Sequence, residues 1–177
     1  MLIRTRMGVS LDGFVATRDG RPAVLAMPGF DGGALYGFPA FQETLGAVVM
    51  GRTTFDPALG APRWPWPGLP VYVLTSHPLP PGTPEQVVAC TDGPADLVER
   101  LRAAKLHGDV HLVGGPLTIQ AFLELGALNR LGLLLLPIVL GEGLPLAPHG
   151  TAQSAFELES ERRFPDGTLE LVYSIAG

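Results

Sequence analysis

The sequence contains only one cysteine, Cys90, in 177 residues. A lone thiol cannot form an intramolecular disulfide and cannot by itself hold a zinc ion. No run approaches the roughly 18 apolar residues of a membrane span, and the amino terminus lacks the apolar core of a secretory signal. These absences exclude a disulfide-bonded scaffold, and they lead us to expect a cytoplasmic protein that does not cross a membrane.

Charged residues are also sparse, at 16% of the chain. The 12 basic and 17 acidic residues give a formal net charge of -5, and the basic residues form no cluster able to neutralise a phosphate backbone. The four histidines are scattered and show no metal-ligand spacing. We therefore expect neither a nucleic-acid partner nor a bound metal.

Glycine and proline are abundant instead, with 23 and 18 residues. They fall between apolar runs, at residues 62–70, 78–84 and 141–148, where they are expected to punctuate a compact fold. With 46% hydrophobic residues, the chain is long enough for one substantial core and short for two. We expect a single domain over residues 1–177.

Apolar runs predict the strands of a sheet. Five short runs lie at residues 2–9, 47–50, 69–74, 87–90 and 110–113. Three later segments follow at residues 130–140, 156–164 and 168–175, and the last two are predicted to form an antiparallel hairpin turned at Pro165-Asp166-Gly167.

Helical patterns lie between the early strands. Asp92-Gly93-Pro94 is typical of a helix start, and it precedes an apolar face formed by Leu97, Val98, Leu101 and Ala104. A second helix is predicted from Pro116 to Leu125, ending before Gly126, with a stripe of Leu117, Ala121, Phe122 and Leu125. Strands separated by helices and followed by a hairpin predict an α/β sandwich whose sheet is mostly parallel.

Polar and glycine-rich residues follow several strands, where ligands bind in open α/β sheets. At the first of these strand ends, a strand stops at Gly51. Arg52, Thr53 and Thr54 then begin a helix whose amino terminus suits a phosphate group. The alternative is an ordinary helix capped by threonine, with a solvated arginine.

Two further strand exits have similar features. After Val113, the glycines Gly114 and Gly115 allow close backbone approach, and Pro116-Leu117-Thr118 starts a helix; a tight turn without a ligand is the alternative. After Leu74, the hydroxyls of Thr75 and Ser76 are suited to the extra phosphate of NADPH, although a solvated loop explains them equally.

Five motifs in this order resemble the successive signatures of the riboflavin-biosynthesis reductase carboxyl-terminal domain family. They are residues 10–16 (SLDGFVA), 50–55 (MGRTTF), 74–76 (LTS), 113–116 (VGGP) and 136–143 (LPIVLGEG). The resemblance implies a dihydrofolate reductase-like, three-layer α/β/α sandwich, NADPH as cofactor and a homodimer. It also implies a cis peptide between Gly114 and Gly115 and a nicotinamide bordered by residues 10–16.

On the same resemblance, the cofactor-binding residues follow three strands. They are Gly51, Arg52, Thr53, Thr54, Leu74, Thr75, Ser76, Val113, Gly114, Gly115, Pro116, Leu117 and Thr118. The first and third groups would hold the diphosphate, and Thr75 and Ser76 would lie near the adenosine 2′-phosphate.

The sequence also departs from related enzymes. It has no His-x-Glu with a Pro-Cys-x-x-Cys partner, which excludes a zinc deaminase. The acidic residue of dihydrofolate reductases, about 16 positions before the glycine of the Gly-Arg motif, is replaced by Leu35, with Asp31 and Glu43 as the acidic residues nearest to it.

A reductase of this kind needs a proton donor. Asp56 is the leading candidate, because Asp56-Pro57-Ala58-Leu59 resembles a catalytic segment of the riboflavin reductases; otherwise Asp56 is a residue in the first turn of a short helix. Asp12 is the second candidate, although Asp12-Gly13 is also a standard turn.

Three functions remain open. We favour a stand-alone NADPH-dependent reductase that acts on a small carbonyl or imine, pterin-like or ribosylaminopyrimidine-like. The alternatives are a divergent dihydrofolate reductase and a non-catalytic nucleotide-binding or scaffold module of the same fold, to which the missing carboxylate and Asn129-Arg130, where the family has Asp-Glu, lend support.

Overall fold

A computed structural model of the protein describes residues 1–30 and 36–175. In chain order the strands are β1 (Ile3–Ser10), β2 (Phe14–Ala16), β3 (Leu45–Gly51), β4 (Val71–Leu74), β5 (Val87–Cys90), β6 (Asp109–Gly114), β7 (Arg130–Leu136), β8 (Leu144–Pro145), β9 (Phe156–Arg163) and β10 (Leu169–Ile175). The helices are α1 (Phe38–Gln42), α2 (Arg52–Leu59), α3 (Pro94–Ala103) and α4 (Pro116–Glu124), and a 3-10 helix covers Ala23–Ala26. None of these helices is long and apolar enough to cross a membrane.

Eight of the strands form one sheet in the spatial order β5-β4-β3-β6-β1-β7-β10-β9. All neighbours from β5 to β7 are parallel, and β10 is antiparallel to both β7 and β9. The carboxyl-terminal hairpin turns where predicted, with Gly167 at a φ of 88°. The predicted α/β sandwich, mostly parallel with an antiparallel hairpin, is confirmed.

Helices cover the two faces of the sheet through separate apolar layers. One layer joins α3 and α4 to β1, β3 and β6 through residues such as Leu97, Leu101, Phe122, Val49 and Leu112. The other joins α2 to β3 and β4 through Phe55, Val48, Met50 and Val73. Because successive side chains of a strand point to opposite faces, a central strand such as β3 has to be apolar throughout.

The predicted stripe of α4 is confirmed at Phe122 and wrong at Leu117 and Leu125. Leu117 is 73% exposed and Leu125 is 43% exposed, whereas Ile119 and Phe122 are the buried residues of this helix. The helix is apolar on nearly every side, so its sequence left the choice of buried face open, and packing against β6 decided it. The predicted end is confirmed, because Gly126 follows the helix with a φ of 59°.

The apolar segment 130–140 is not one continuous strand. β7 stops at Leu136, because Pro137 has no N-H to continue the ladder. The chain then leads to β8, which pairs with β2 in a small second sheet that the sequence reading did not foresee. This small sheet lies next to the point where β1 ends.

Candidate functional site at the ends of the parallel strands

The parallel strands all end at one side of the sheet, which we call the carboxyl edge. Leu74 of β4 is in register with Gly51 of β3, and Met50 is in register with Gly114 of β6. The turns after β3 and β6 are therefore neighbours, with Thr75 on one side and Ser10, at the end of β1, on the other. The fold brings the predicted cofactor-binding residues to one edge.

The two glycine-bearing turns approach each other closely. A Cβ atom on Gly51 would lie 2.7 Å from Thr118 Oγ1, and one on Gly115 would lie 3.6 Å from Thr54 Oγ1. The peptide bond between Gly114 and Gly115 is cis, as the resemblance implies. A side chain at Gly51 would thus collide with the opposite turn, and the requirement for glycine there is one of space.

Two helices begin directly after these glycines. α2 starts at Arg52 and α4 at Pro116, and no side chain in the part of the chain that the structure describes caps either amino terminus. The alternative of an ordinary threonine-capped helix at Gly51 is therefore wrong. Two neighbouring helix amino termini with uncapped amides carry partial positive charge at the same edge, which suits an anionic diphosphate.

Arg52 joins α2 to the loop that follows β4. Its Nε donates to Asp56 Oδ1 at 2.6 Å, and its Nη1 donates to the carbonyl oxygen of Pro78 at 2.8 Å. The side chain keeps 28% of its exposure, so it remains within reach of a ligand. Arg52 is a held cation at the carboxyl edge, and the alternative of a freely solvated arginine does not apply.

The third predicted position, after β4, forms its own turn. The amide of His77 donates to Thr75 Oγ1 at 3.1 Å, and the Thr75 hydroxyl lies 3.2 Å from the carbonyl oxygen of His77. Ser76 is exposed at the tip of this turn. Leu74, Thr75 and Ser76 thus sit beside Arg52, on the side of the edge away from β1.

Asp56 is the fifth residue of α2, so the alternative that placed it in the first turn is wrong. Its side chain is 50% exposed, and the carboxylate pairs with Arg52 one helical turn earlier. Its partner Arg52 also binds Pro78, in the loop after β4, whereas residues 10–16 follow β1. β1 is two strands beyond β3, which is about 10 Å at ordinary strand spacing. Its role as proton donor stays a prediction.

Asp12 lies at the β1 side of the edge and is fully engaged. Its Oδ1 accepts from the Ser10 hydroxyl at 2.6 Å and from the Leu140 amide at 3.1 Å, and its Oδ2 accepts from the Gly141 amide at 2.7 Å. The Ser10 hydrogen bond, with smaller contributions from the two amides, holds the pKa of the Asp12 carboxyl below its usual value. A carboxylate held ionised in this way is a poor proton donor at neutral pH.

The remaining acidic candidates do not supply a donor at this edge. Asp31 and Leu35 lie outside the described residues. Glu43 is exposed at the end of α1, just before β3 begins, so it lies at the side where the parallel strands start. The fold does not bring Glu43 into reach of the site, because the length of β3 separates it from the carboxyl edge.

The contacts that residues 137–146 make with the loop after β1 were not predicted from the sequence. The amides of Leu140 and Gly141 bind Asp12 across 128 and 129 positions of sequence, and the carbonyl oxygen of Ile138 accepts from the Leu11 amide. The motif at residues 136–143 indicated that this segment belongs to the family pattern. Its sequence did not indicate which loop it would contact.

Towards the amino ends of the parallel strands, a region that we call the amino edge, one face of the sheet carries a groove of about 640 Å³ lined by four arginines. Three of them form ion pairs, namely Arg4 with Asp109, Arg6 with Glu170 and Arg130 with Glu159. The fourth, Arg162, lies over the ring of Phe164. This charge serves contacts within the fold, and within residues 1–30 and 36–175 no group of three acidic, histidine or cysteine side chains is arranged to hold a metal.

A comparison with known families and structures bears on this geometry. The model of the RibD C-terminal domain family matches residues 2–169. A crystal structure of a putative riboflavin biosynthesis protein from Shewanella sp. PV-4 is similar over the whole of both chains, with a TM-score of 0.86 and 26% identity.

Two more distant structures show the fold. One is a diaminohydroxyphosphoribosylaminopyrimidine deaminase/5-amino-6-(5-phosphoribosylamino)uracil reductase from Thermotoga maritima, with a TM-score of 0.70 and 12% identity over 99% of this chain and 56% of that chain. The other is the dihydrofolate reductase of Enterococcus faecalis in complex with NADP(H), with a TM-score of 0.69 and 16% identity over 99% and 97% of the two chains. The predicted dihydrofolate reductase-like fold is confirmed.

Proposed function

Because the chain belongs to the RibD C-terminal domain family, we propose that it is an NADPH-dependent reductase acting on a small carbonyl or imine. A pterin-like or ribosylaminopyrimidine-like compound is the substrate class we favour. The observation that carries the proposal is the meeting of two glycine turns and two uncapped helix starts at neighbouring strands, β3 and β6. That arrangement suits one diphosphate.

The residues present fit the dinucleotide. Amides of residues 51–54 and of residues 114–118, apart from Pro116, would bind the diphosphate, and Arg52, with Thr75 and Ser76 beside it, would face the adenosine 2′-phosphate. The segment 10–16 would border the nicotinamide. When bound, NADPH supplies the hydride, and the protein contributes orientation and a proton.

The first experiment is a titration of the purified protein with NADPH, followed by the fluorescence of the cofactor. We expect a micromolar or tighter dissociation constant, and failure to bind in that range would remove both enzyme interpretations. NADPH oxidation is then measured with 5-amino-6-(5-phosphoribosylamino)uracil, with dihydrofolate and with a panel of small carbonyl compounds. Turnover of dihydrofolate alone would favour a divergent dihydrofolate reductase.

One observation keeps a non-catalytic module as the second candidate. Both predicted proton donors are engaged within the fold, Asp12 by Ser10 and two amides and Asp56 by Arg52. A protein that binds NADPH tightly and oxidises it with none of these compounds would be a nucleotide-binding module of this fold.

We also propose that the protein is a cytoplasmic homodimer. The buried residues of α3 and α4 pack on β1, β3 and β6, whereas β7, β9 and β10 place an apolar set on the same face of the sheet: Leu133, Leu135, Leu158, Leu169, Leu171 and Tyr173. Leu158 is 50% exposed and Leu169 is 36% exposed. A second copy of the chain would cover this face.

Sedimentation velocity tests the dimer. Leu158→Glu and Leu169→Glu are expected to give monomers, because each places a charge in the apolar contact. Val88→Glu, on the opposite edge strand β5 and 40% exposed, is the matched control and should leave the dimer intact. A wild-type chain that sediments as a monomer at all concentrations would remove this part of the proposal.

A further inference from the structure

The Asp12 carboxylate does more than shape its own turn. The turn already has a backbone bond, from the Gly13 amide to the Ser10 carbonyl at 2.9 Å. Two of the three hydrogen bonds that Asp12 accepts come instead from Leu140 and Gly141, in the segment that leaves β7. The side chain therefore adds a second connection between two stretches of chain that the backbone bond from the Leu11 amide to the Ile138 carbonyl already brings together.

Ser10 fixes the orientation of this carboxylate. Ser10 is 1% exposed, and its Oγ accepts from the Phe14 amide at 3.0 Å while its hydroxyl donates to Asp12 Oδ1 at 2.6 Å. Because the ionised carboxylate can only accept, the hydrogen of the Ser10 hydroxyl is directed to Asp12. Oδ1 thus receives two donors and Oδ2 receives the Gly141 amide.

The joined segments continue into the small sheet. β2 pairs with β8, and the Leu146 amide donates to the carbonyl oxygen of Gly13 at 2.9 Å. A Cβ atom on Gly143 would lie 2.2 Å from the carbonyl oxygen of Ala16, so the two backbones are in direct contact. Asp12 closes this unit at the end nearest to β1 and the carboxyl edge.

We propose that Asp12 is a positioning residue, whose carboxylate fastens residues 140–141 to the exit of β1 and so shapes the nicotinamide side of the site. This inference rests on the proposed function for the identity of the ligand. It assigns to Asp12 a role through the backbone of residues 10–16 and 140–141, in place of proton transfer to the substrate.

The same local pattern occurs a second time and supplies a control. In Thr17-Arg18-Asp19-Gly20 the threonine hydroxyl donates to Asp19, as Ser10 does to Asp12, and Gly20 and Gly13 both have a φ of 85°. The amide of Gly20 donates to the Thr17 carbonyl at 2.9 Å, again matching the first turn. Asp19 differs in that it accepts no hydrogen bond from residues 140–141.

Amide hydrogen exchange of the wild-type protein, Asp12→Asn, Asp12→Ala and Asp19→Asn tests the contact directly. In Asp12→Asn the remaining oxygen is expected to take the place of Oδ1, which has two donors, so the NH2 group faces the Gly141 amide. The protection of Gly141 against exchange should therefore fall about ten- to hundredfold. Leu140 should lose as much only in Asp12→Ala. Asp19→Asn should leave both amides unchanged, and unchanged protection in both Asp12 variants would overturn the proposal.

Nucleotide affinity separates positioning from a merely structural role. NADPH and adenosine 2′,5′-bisphosphate, which lacks the nicotinamide, are titrated into each variant. Asp12→Asn should weaken NADPH about threefold or more and leave the bisphosphate unchanged, because only the nicotinamide end meets the fastened segment. Equal weakening of both ligands would overturn the positioning role.

The two proposals fail differently. If the wild-type chain binds neither nucleotide, the proposed function and the ligand half of this inference fall, while hydrogen exchange still decides whether Asp12 holds residues 140–141. If NADPH binds and turns over, the high-pH limb of the kcat profile, where the proton donor loses its proton, should persist in Asp12→Asn. Loss of that limb would make Asp12 a proton donor and contradict the inference.

Discussion

The two edges of the sheet use polar residues in opposite ways. At the amino edge, Arg6 is 7% exposed and binds Glu170 at 2.8 Å, and its guanidinium also donates to the carbonyl of Tyr36. At the carboxyl edge, the helix starts after Gly51 and Gly115 have no side-chain caps. The charged groups compared at the amino edge are paired within the fold, whereas the first amides of these two helices have no side-chain partner among the described residues. The comparison predicts that changes at the amino edge alter stability and changes at the carboxyl edge alter nucleotide binding.

Arg6→Ala is expected to have the largest effect. It leaves Glu170, 19% exposed, without its partner, and loss of one member of a mostly buried pair costs about 3 kcal/mol. Urea unfolding should show this loss, and NADPH affinity should stay within about twofold of wild type. A large loss of NADPH affinity in a folded Arg6→Ala protein would break the division between the edges.

Arg52→Ala should show the reverse pattern. Removing a charge-assisted phosphate contact should weaken NADPH about ten- to hundredfold, whereas an exposed pair such as Arg52 and Asp56 contributes only about 0.5 kcal/mol to stability. Arg102→Ala, an exposed arginine in the last turn of α3, is the control. Equal affinities of these two variants for NADPH would mean that the turn after β3 is only structural.

His111→Leu tests the amino edge, because we expect this variant to be more stable than the wild-type protein. His111 is 2% exposed, neither ring nitrogen has a hydrogen-bond partner within residues 1–30 and 36–175, and the rings of Phe38 and Phe41 pack against it. Replacing an unpaired buried imidazole with an apolar side chain should raise the free energy of unfolding by about 1–2 kcal/mol. A lower free energy of unfolding would show that a partner for His111 exists.

The same residue sets a pH dependence. Burial lowers the pKa of His111 to about 3, and the nearby backbone of Arg6 offsets this only in part. The unfolded chain binds a proton near pH 6.5, so the native state should lose up to about 1.4 kcal/mol per pH unit between roughly pH 6.5 and 3. Unfolding curves of His111→Leu should show a smaller decline in stability over this range than wild type.

Asp56→Asn is expected to change affinity least. The variant loosens an exposed pair, so NADPH binding should weaken by no more than about twofold to threefold. A lower turnover with nearly unchanged affinity would support Asp56 as the proton donor. An unaltered rate would remove Asp56 from the mechanism and leave it as the residue that holds Arg52.

Local patterns predicted much of this architecture. Five strands lie within two residues of the predicted runs, namely β1, β3, β4, β5 and β6. A short apolar run between glycine and proline residues is typical of a buried strand. The glycines after β3 and β6 also identified the candidate site, since parallel strands end at one edge.

The features that were not predicted depend on partners distant in sequence. The buried face of α4 depends on β6 and not on its own apolar residues, so Ile119 rather than Leu117 is buried. Likewise, Ser10-Leu11-Asp12-Gly13 and Thr17-Arg18-Asp19-Gly20 form the same local turn, and only the arrival of residues 140–141 gives Asp12 its additional contacts. Such contacts follow from the topology and are not encoded in the turn.

The central claim is that the two glycine turns bind one dinucleotide. An NMR titration of the 15N-labelled protein with NADPH tests it through the backbone amides of Thr53 and Leu117. We predict that both resonances shift together with a single dissociation constant, while amides at the amino edge, such as that of Gly132, do not move. Shifts confined to one turn, or different dissociation constants for the two turns, would contradict the account.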